Sequence, residues 1–188
     1  MGASGVGGFG SMLLGSVAMT LVTGSPNPVA VIRGNESRDG RVPRTGPVVL
    51  GVDAGASSEE AIAWGFDEAS RRGTDLIAVH AWTAYVDVYA RLYGVPPLDE
   101  IDAQIQAEEA AFAERLAGWR EKYPEVAVTS LLRSGKPAKT LLEYAGDAQL
   151  VVVGSRGHGD ITGVIFGSVS RSLIHQAPCP VLVARTRG

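Results

Sequence analysis

The chain has 188 residues, room for one domain or one domain plus a fragment at roughly 100–200 residues per domain. With 45% hydrophobic and 20% charged residues it has the composition of a soluble globular protein, and its net charge of −3 lacks the basic excess of a nucleic-acid surface. One cysteine, Cys179, permits no internal disulfide, and the separated histidines His80, His158 and His175 make no metal-ligand cluster, so a cytoplasmic protein with no nucleic-acid or membrane partner is the default expectation.

Residues 1–32 contain no charged side chain, which raises a membrane or signal reading. The apolar core from Met12 to Val22 falls short of the roughly 20 residues a span needs and is broken by Gly15 and Ser16. The glycine-rich start also lacks the positive charge of a signal peptide. An internal repeat explains the stretch better. Shifted by 152 positions, residues 1–33 lie on 153–185 without a gap and with 12 identities. Gly2, Gly5, Gly7, Gly15, Ser16, Val17 and Leu21 match Gly154, Gly157, Gly159, Gly167, Ser168, Val169 and Leu173. Pro26, Pro28, Val29, Val31 and Arg33 match Pro178, Pro180, Val181, Val183 and Arg185. Residues 1–33 are therefore expected to be the last loop, helix (16–23) and strand (28–32) of an earlier copy. Residues 34–46, polar and turn-rich, read as a linker.

The complete copy is expected over 47–186. Pro47-Val48-Val49-Leu50-Gly51-Val52-Asp53 is a bare apolar run ending in an acid, the pattern of a strand buried on both faces. Ser57 with Glu60 three residues on forms a capping box, and the helix they open ends near Arg71-Arg72-Gly73. A second strand covers 75–82. Residues 83–98 are irregular, a long helix follows at about 99–122, and a third strand at 126–132. Ser134-Gly135-Lys136-Pro137 turns into a helix at 137–147. Then come a strand at 149–154, a helix at 167–176 and a last strand at 180–184. Alternating strands and helices over this length predict an α/β fold, a parallel sheet with helices on both faces.

The fourth strand runs into Gly154-Ser155-Arg156-Gly157, and Gly167-Ser168-Val169-Ser170 opens the next helix. Glycines let backbone approach an anion, and N–H groups at a helix start carry partial positive charge. The spacing Gly154-x2-Gly157-x9-Gly167-Ser168 is neither a Walker A loop nor a dinucleotide fingerprint. On spacing alone a phosphate cradle and a merely tight loop both stay open.

That spacing, closed by Ala177-Pro178-Cys179-Pro180-Val181-Leu182-Val183, resembles the C-terminal half of a universal stress protein domain of the ATP-binding branch, and the resemblance covers roughly residues 46–186. With the start included, the chain resembles a tandem member of that family lacking most of its first copy. The resemblance implies five parallel strands in the Rossmann-like, flavodoxin-like order 3-2-1-4-5. Strands one and four are then neighbours, and Asp53 and Gly154 flank one switch-point crevice. It implies ATP, with or without Mg²⁺, as the ligand. Asp53 would meet the ribose or adenine beside Gly51 and Val52, and Ala81 would line the adenine edge. Gly154, Ser155, Arg156, Gly157, Gly167, Ser168, Val169 and Ser170 would form the phosphate segment. Asp160 departs from the small residue usual there and would repel a triphosphate. His80 is expected on the sheet surface rather than as a base, since no paired carboxylate is evident.

With no nucleophile–base pair and no second acid for Mg²⁺, any hydrolysis is expected to be slow. Asp53-Ala54-Gly55-Ala56-Ser57 does not supply the Ser-Gly-Gly-x-Asp-type loop of adenylating or pyrophosphatase relatives of the fold. The expected function is an ATP-binding stress-response regulator. The alternative is an interaction module that works by dimerisation alone. A homodimer through last strands, or the same pairing inside one chain between 28–32 and 181–184, is the expected partner arrangement.

Overall fold

The computed structural model describes residues 16–32, 45–53, 57–82, 94, 98–156 and 166–185. Its elements in chain order are α1 (Ser16–Gly24), β1 (Val29–Val31), β2 (Val48–Val52), α2 (Ser57–Arg72), β3 (Leu76–Trp82), α3 (Leu98–Lys122), β4 (Val128–Ser134), α4 (Pro137–Ala145), β5 (Leu150–Gly154), α5 (Ser168–Gln176) and β6 (Val181–Ala184).

One sheet takes all six strands, in the order β1-β6-β5-β2-β3-β4. The five strands of the complete copy are parallel and lie in the expected order 3-2-1-4-5. The sheet is not purely five-stranded and parallel, however. β1 adds a sixth strand, antiparallel to β6, with Val29 opposite Val183, Ala30 opposite Leu182 and Val31 opposite Val181. Under the 152-residue repeat Val29 corresponds to Val181 and Val31 to Val183. The pairing is thus its own mirror under the repeat, with a local twofold axis between Ala30 and Leu182.

The apolar runs explain which strands lie inside. Every residue of β6 and every residue of β5 except Gly154 is buried, as both faces of a central parallel strand require. β4, at the far edge, has no fully buried residue. It starts two residues later than the apolar run suggests. The Val126 N–H still closes a turn on the Tyr123 carbonyl, at 3.1 Å, and the side chain is buried before pairing begins.

α2 and α3 cover one face, burying Ala61, Ile62, Phe66, Phe112 and Leu116 against Leu50, Val52 and Val152. On the other face Leu141 of α4, Leu173 and Ile174 of α5 and Val22 of α1 pack with Val49, Val151, Val153 and the valines of β1 and β6. α1 is held at its C-terminus by Arg185, whose guanidinium donates to the Val22 carbonyl and, at 2.9 Å, to that of Thr23. Cations belong at helix C-termini, where carbonyls lack intrahelical partners. Burial and the nearby Arg156 charge pull the Arg185 pKa below its ordinary value.

The lower edge of the sheet is tied by Gly46, at φ +116°, a left-handed conformation suited to glycine. Its carbonyl accepts from Thr74 Oγ1 at 2.8 Å and from Gln149 Nε2 at 2.6 Å. Gly46, read from sequence as the end of the linker, is therefore built into the sheet domain.

Cys179 is buried in the core beneath β6, and burial pushes its thiol from 9.0 up to about 11. The neutral thiol is favoured by folding, so its contribution is complete below pH 9 and is lost as pH rises through about 11. The loss is on the order of 3 kcal/mol. The native protein is expected to leave a thiol reagent unconsumed at pH 8 and to consume one equivalent once unfolded in denaturant. Prompt native reaction would show that the thiol is accessible.

Candidate functional site

β2 and β5 pair in parallel from Val48–Leu150 to Leu50–Val152. They leave the sheet at the same edge, so Asp53 after β2 and Ser155 after β5 emerge side by side. Beyond β5 lies β6 and beyond β2 lies β3, and the crossovers leave this pair in opposite directions. A crevice opens at such a switch point.

On the β2 side Asp53 is half-buried. Its N–H donates to Ser58 Oγ at 2.9 Å, from the first turn of α2. Its carbonyl accepts from the Arg115 guanidinium on α3, which also lies 3.5 Å from Glu59. The Val52 carbonyl accepts from His80 Nδ1 at 2.8 Å, since only the ring nitrogen can donate. His80 Nε2 faces Glu108 Oε2 at 3.4 Å. The sequence showed no carboxylate for His80; α3 brings one from 28 residues away.

On the β5 side the ends of the glycine loop are pinned together. The Ser155 N–H donates to the Ala184 carbonyl and the Gly167 N–H to the Ser155 carbonyl, each at 2.8 Å. Ser170 Oγ donates to the Gly154 carbonyl at 2.6 Å. Ser155 and Ser170 are buried, while Arg156 and Ser168 are exposed. Gly167 is the N-cap of α5 and carries no side-chain cap, so the first N–H groups, of Ser168, Val169 and Ser170, have no carbonyl to reach within the helix. A Cβ at Gly167 would stand 3.4 Å from the Ser155 carbonyl oxygen and 3.5 Å from Arg156 Cα, so the helix start lies in ordinary van der Waals contact with the loop backbone.

The residues expected at the site thus fall into groups. Asp53, Gly154, Ser155, Arg156, Gly167, Ser168, Val169 and Ser170 come to one edge between β2 and β5. Ala81 sits on β3 one residue past His80, which pairs with Val52, and so is level with Asp53. Val52 has its side chain in the core and brings only backbone. A Cβ on Gly51 would stand 2.9 Å from Leu141 Cδ1 and 3.0 Å from Val153 Cγ1, so this glycine lets α4 approach the sheet. Gly157 and Asp160 lie outside the described residues. Ser58, Arg115 and Glu108 are the groups that sequence reasoning missed. A separate hollow of about 410 Å³, lined by Arg133, Lys136, Lys139 and Glu143 among others, opens beyond β4, two strands from this crevice. Among the described residues no group of side chains is placed to hold a metal ion, and no helix is long and apolar enough to cross a membrane.

Comparison with known proteins gives the same fold. The model of the universal stress protein family matches residues 45–185. A universal stress protein of Mycobacterium tuberculosis is 47% identical over 187 residues, 98% of this chain and 60% of that protein. The chain thus spans about three fifths of the length of the curated relatives it matches. A universal stress protein structure from Archaeoglobus fulgidus superposes with a TM-score of 0.61 at 23% identity, covering 99% of this chain and 60% of that one. Another from the same organism, solved in complex with dAMP, has a TM-score of 0.54 at 21% identity and covers 75% of this chain and 98% of that one.

Proposed function

The chain belongs to the universal stress protein family, and on that premise we propose that it holds an adenine nucleotide, ATP first, in the crevice between β2 and β5. The observation that carries the reading is the meeting of two distant segments at one sheet edge. An acid leaves β2, and an uncapped helix N-terminus on a glycine loop follows β5. The uncapped N–H groups of α5 suit a phosphate, and Arg156 adds a cation at the loop. Asp53, level with Ala81, suits the ribose or adenine edge. A protein of this fold was solved with dAMP, which supports an adenine nucleotide as the ligand class. Mg²⁺ would arrive with the triphosphate, since among the described residues no group of acids is placed to hold it.

The role proposed is regulatory. Nucleotide occupancy would bias a surface or an assembly, with little turnover of ATP. The N-terminal segment is read as the last helix and strand of another copy of the domain, which the symmetric register of β1 on β6 supports. A second reading, an interaction module that works without nucleotide, draws on that same pairing, because it shows a last strand accepting a partner.

Mass spectrometry of ligand released from purified protein separates the two, with an adenine nucleotide expected. Calorimetry with ATP should then show binding to the native chain and none to Gly157→Val, whose isopropyl group would fill the phosphate approach while the circular dichroism stays native. Equal affinity for ATP in the two chains would remove the glycine loop from the site.

A further inference from the structure

We propose that Arg115 is a positioning residue for Asp53, setting the direction of the acid from α3. The inference rests on the reading of Asp53 as a nucleoside contact. The two peptide planes that flank the Asp53 Cα are each tied by side chains. The plane between Val52 and Asp53 gives its N–H to Ser58 Oγ on α2 and takes His80 Nδ1–H from β3 on its carbonyl. The plane after Asp53 takes the Arg115 guanidinium of α3 on its carbonyl. Peptide units are rigid, so fixing both planes fixes φ and ψ at the residue between them, and with these the Cα–Cβ direction.

The helix is built for this task along one stripe. Glu108, Phe112 and Arg115 are spaced four and three residues apart and so share a face. Glu108 faces His80 Nε2, the Phe112 ring lies against the His80 ring with centroids 5.5 Å apart, and Arg115 reaches Asp53. Arg115 is itself steadied by Glu59 at the start of α2. The bond from a charged guanidinium to a carbonyl belongs to the stronger class of hydrogen bonds. Without it the second plane loses this charged tie, and the chain leaving β2 can turn the carboxylate away from the cleft.

The test uses the full chain and two kinds of readout. In calorimetry, Arg115→Ala should lower affinity for ATP and for adenosine by the same factor, about tenfold, the loss expected of one charged hydrogen bond. Arg115→Lys, which keeps a cationic donor, should recover most of it. On an Asp53→Ala background Arg115→Ala should cost nothing more, because it acts through the acid. A loss confined to ATP, or one that adds fully to that of Asp53→Ala, would overturn positioning in favour of direct contact or general damage. In the ligand-free protein the Asp53 carbonyl and carboxyl carbon resonances should move in Arg115→Ala and return toward their native positions in Arg115→Lys. Unmoved resonances would overturn the inference whether or not nucleotide binds. A native chain that binds no adenine nucleotide would sink the functional reading alone, with the resonances still deciding the placement of Asp53.

Discussion

Phe66→Ala is expected to cost about 4 kcal/mol of stability, within the range of roughly 3–5 for a buried phenylalanine. Phe66 is fully buried in the layer between α2, α3 and the sheet. Its ring stacks on Trp119 at 6.1 Å and tilts against Tyr123 at 5.8 Å. Each such aromatic pair adds roughly 0.5–1.5 kcal/mol beyond burial. Collapse should relieve little of the cost, because α2 already packs closely on the sheet beside Phe66. A Cβ on the neighbouring Gly65 would meet Leu50 Cδ2 at 3.1 Å. Denaturant unfolding measures the loss, and against a total of about 5–15 kcal/mol the variant should be visibly marginal. Phe66→Leu, which fills most of the hole, should lose less than half as much. A loss near 1 kcal/mol for the alanine would show that α3, whose Trp119 stacks on this ring, settles into the space.

How far the sequence disclosed this arrangement depended on whether a feature is local. β2, β5 and β6 are bare aliphatic runs, and strands buried on both faces leave no other mark. The order of the sheet and the meeting of Asp53 with Gly154 required the fold, which the family resemblance supplied and the register bears out. The ties on Asp53 were not legible. A stripe of Glu108, Phe112 and Arg115 says that three residues share a helix face, but not that the face looks onto the exit of β2. The resemblance puts Gly51 on the nucleoside wall, and the structure adds a packing constraint there: a Cβ would crowd Leu141, 90 residues later. β1 has only three residues and no signal of its own as a strand; the repeat revealed it. Ser170 was expected as a phosphate donor, and its hydroxyl hydrogen is committed to the Gly154 carbonyl, a local bond that spacing could not show.

A chain that begins at residue 45 is expected to self-associate more strongly than the full chain. Without β1, strand β6 becomes an edge, and it is four apolar residues long with every residue buried in the full chain. Such an edge is a template for pairing. The register of β1 states what that edge accepts: an antiparallel strand with valine opposite Val183 and valine opposite Val181. A second copy of β6 offers Val181 and Val183 in just those places, with its own Leu182 where Ala30 stood. The remaining difference, leucine for alanine on the axis, adds apolar surface on the α2 and α3 side. Truncation also strips Val22, Val29 and Val31 from the core, each worth roughly 1.5–3 kcal/mol when fully buried, so the shortened chain has apolar surface to recover. Arg185 loses the carbonyls of Val22 and Thr23, whose counterparts under the 152-residue repeat are Ile174 and His175. In a symmetric pair each Arg185 would cap the other copy's α5 as it now caps α1. Light scattering at tens of micromolar should therefore give a dimer mass for the truncated chain, reduced by Arg185→Ala. A truncated chain that stays monomeric would mean that β6 is protected by something other than its partner strand, and that the symmetry of the β1 register has no energetic weight.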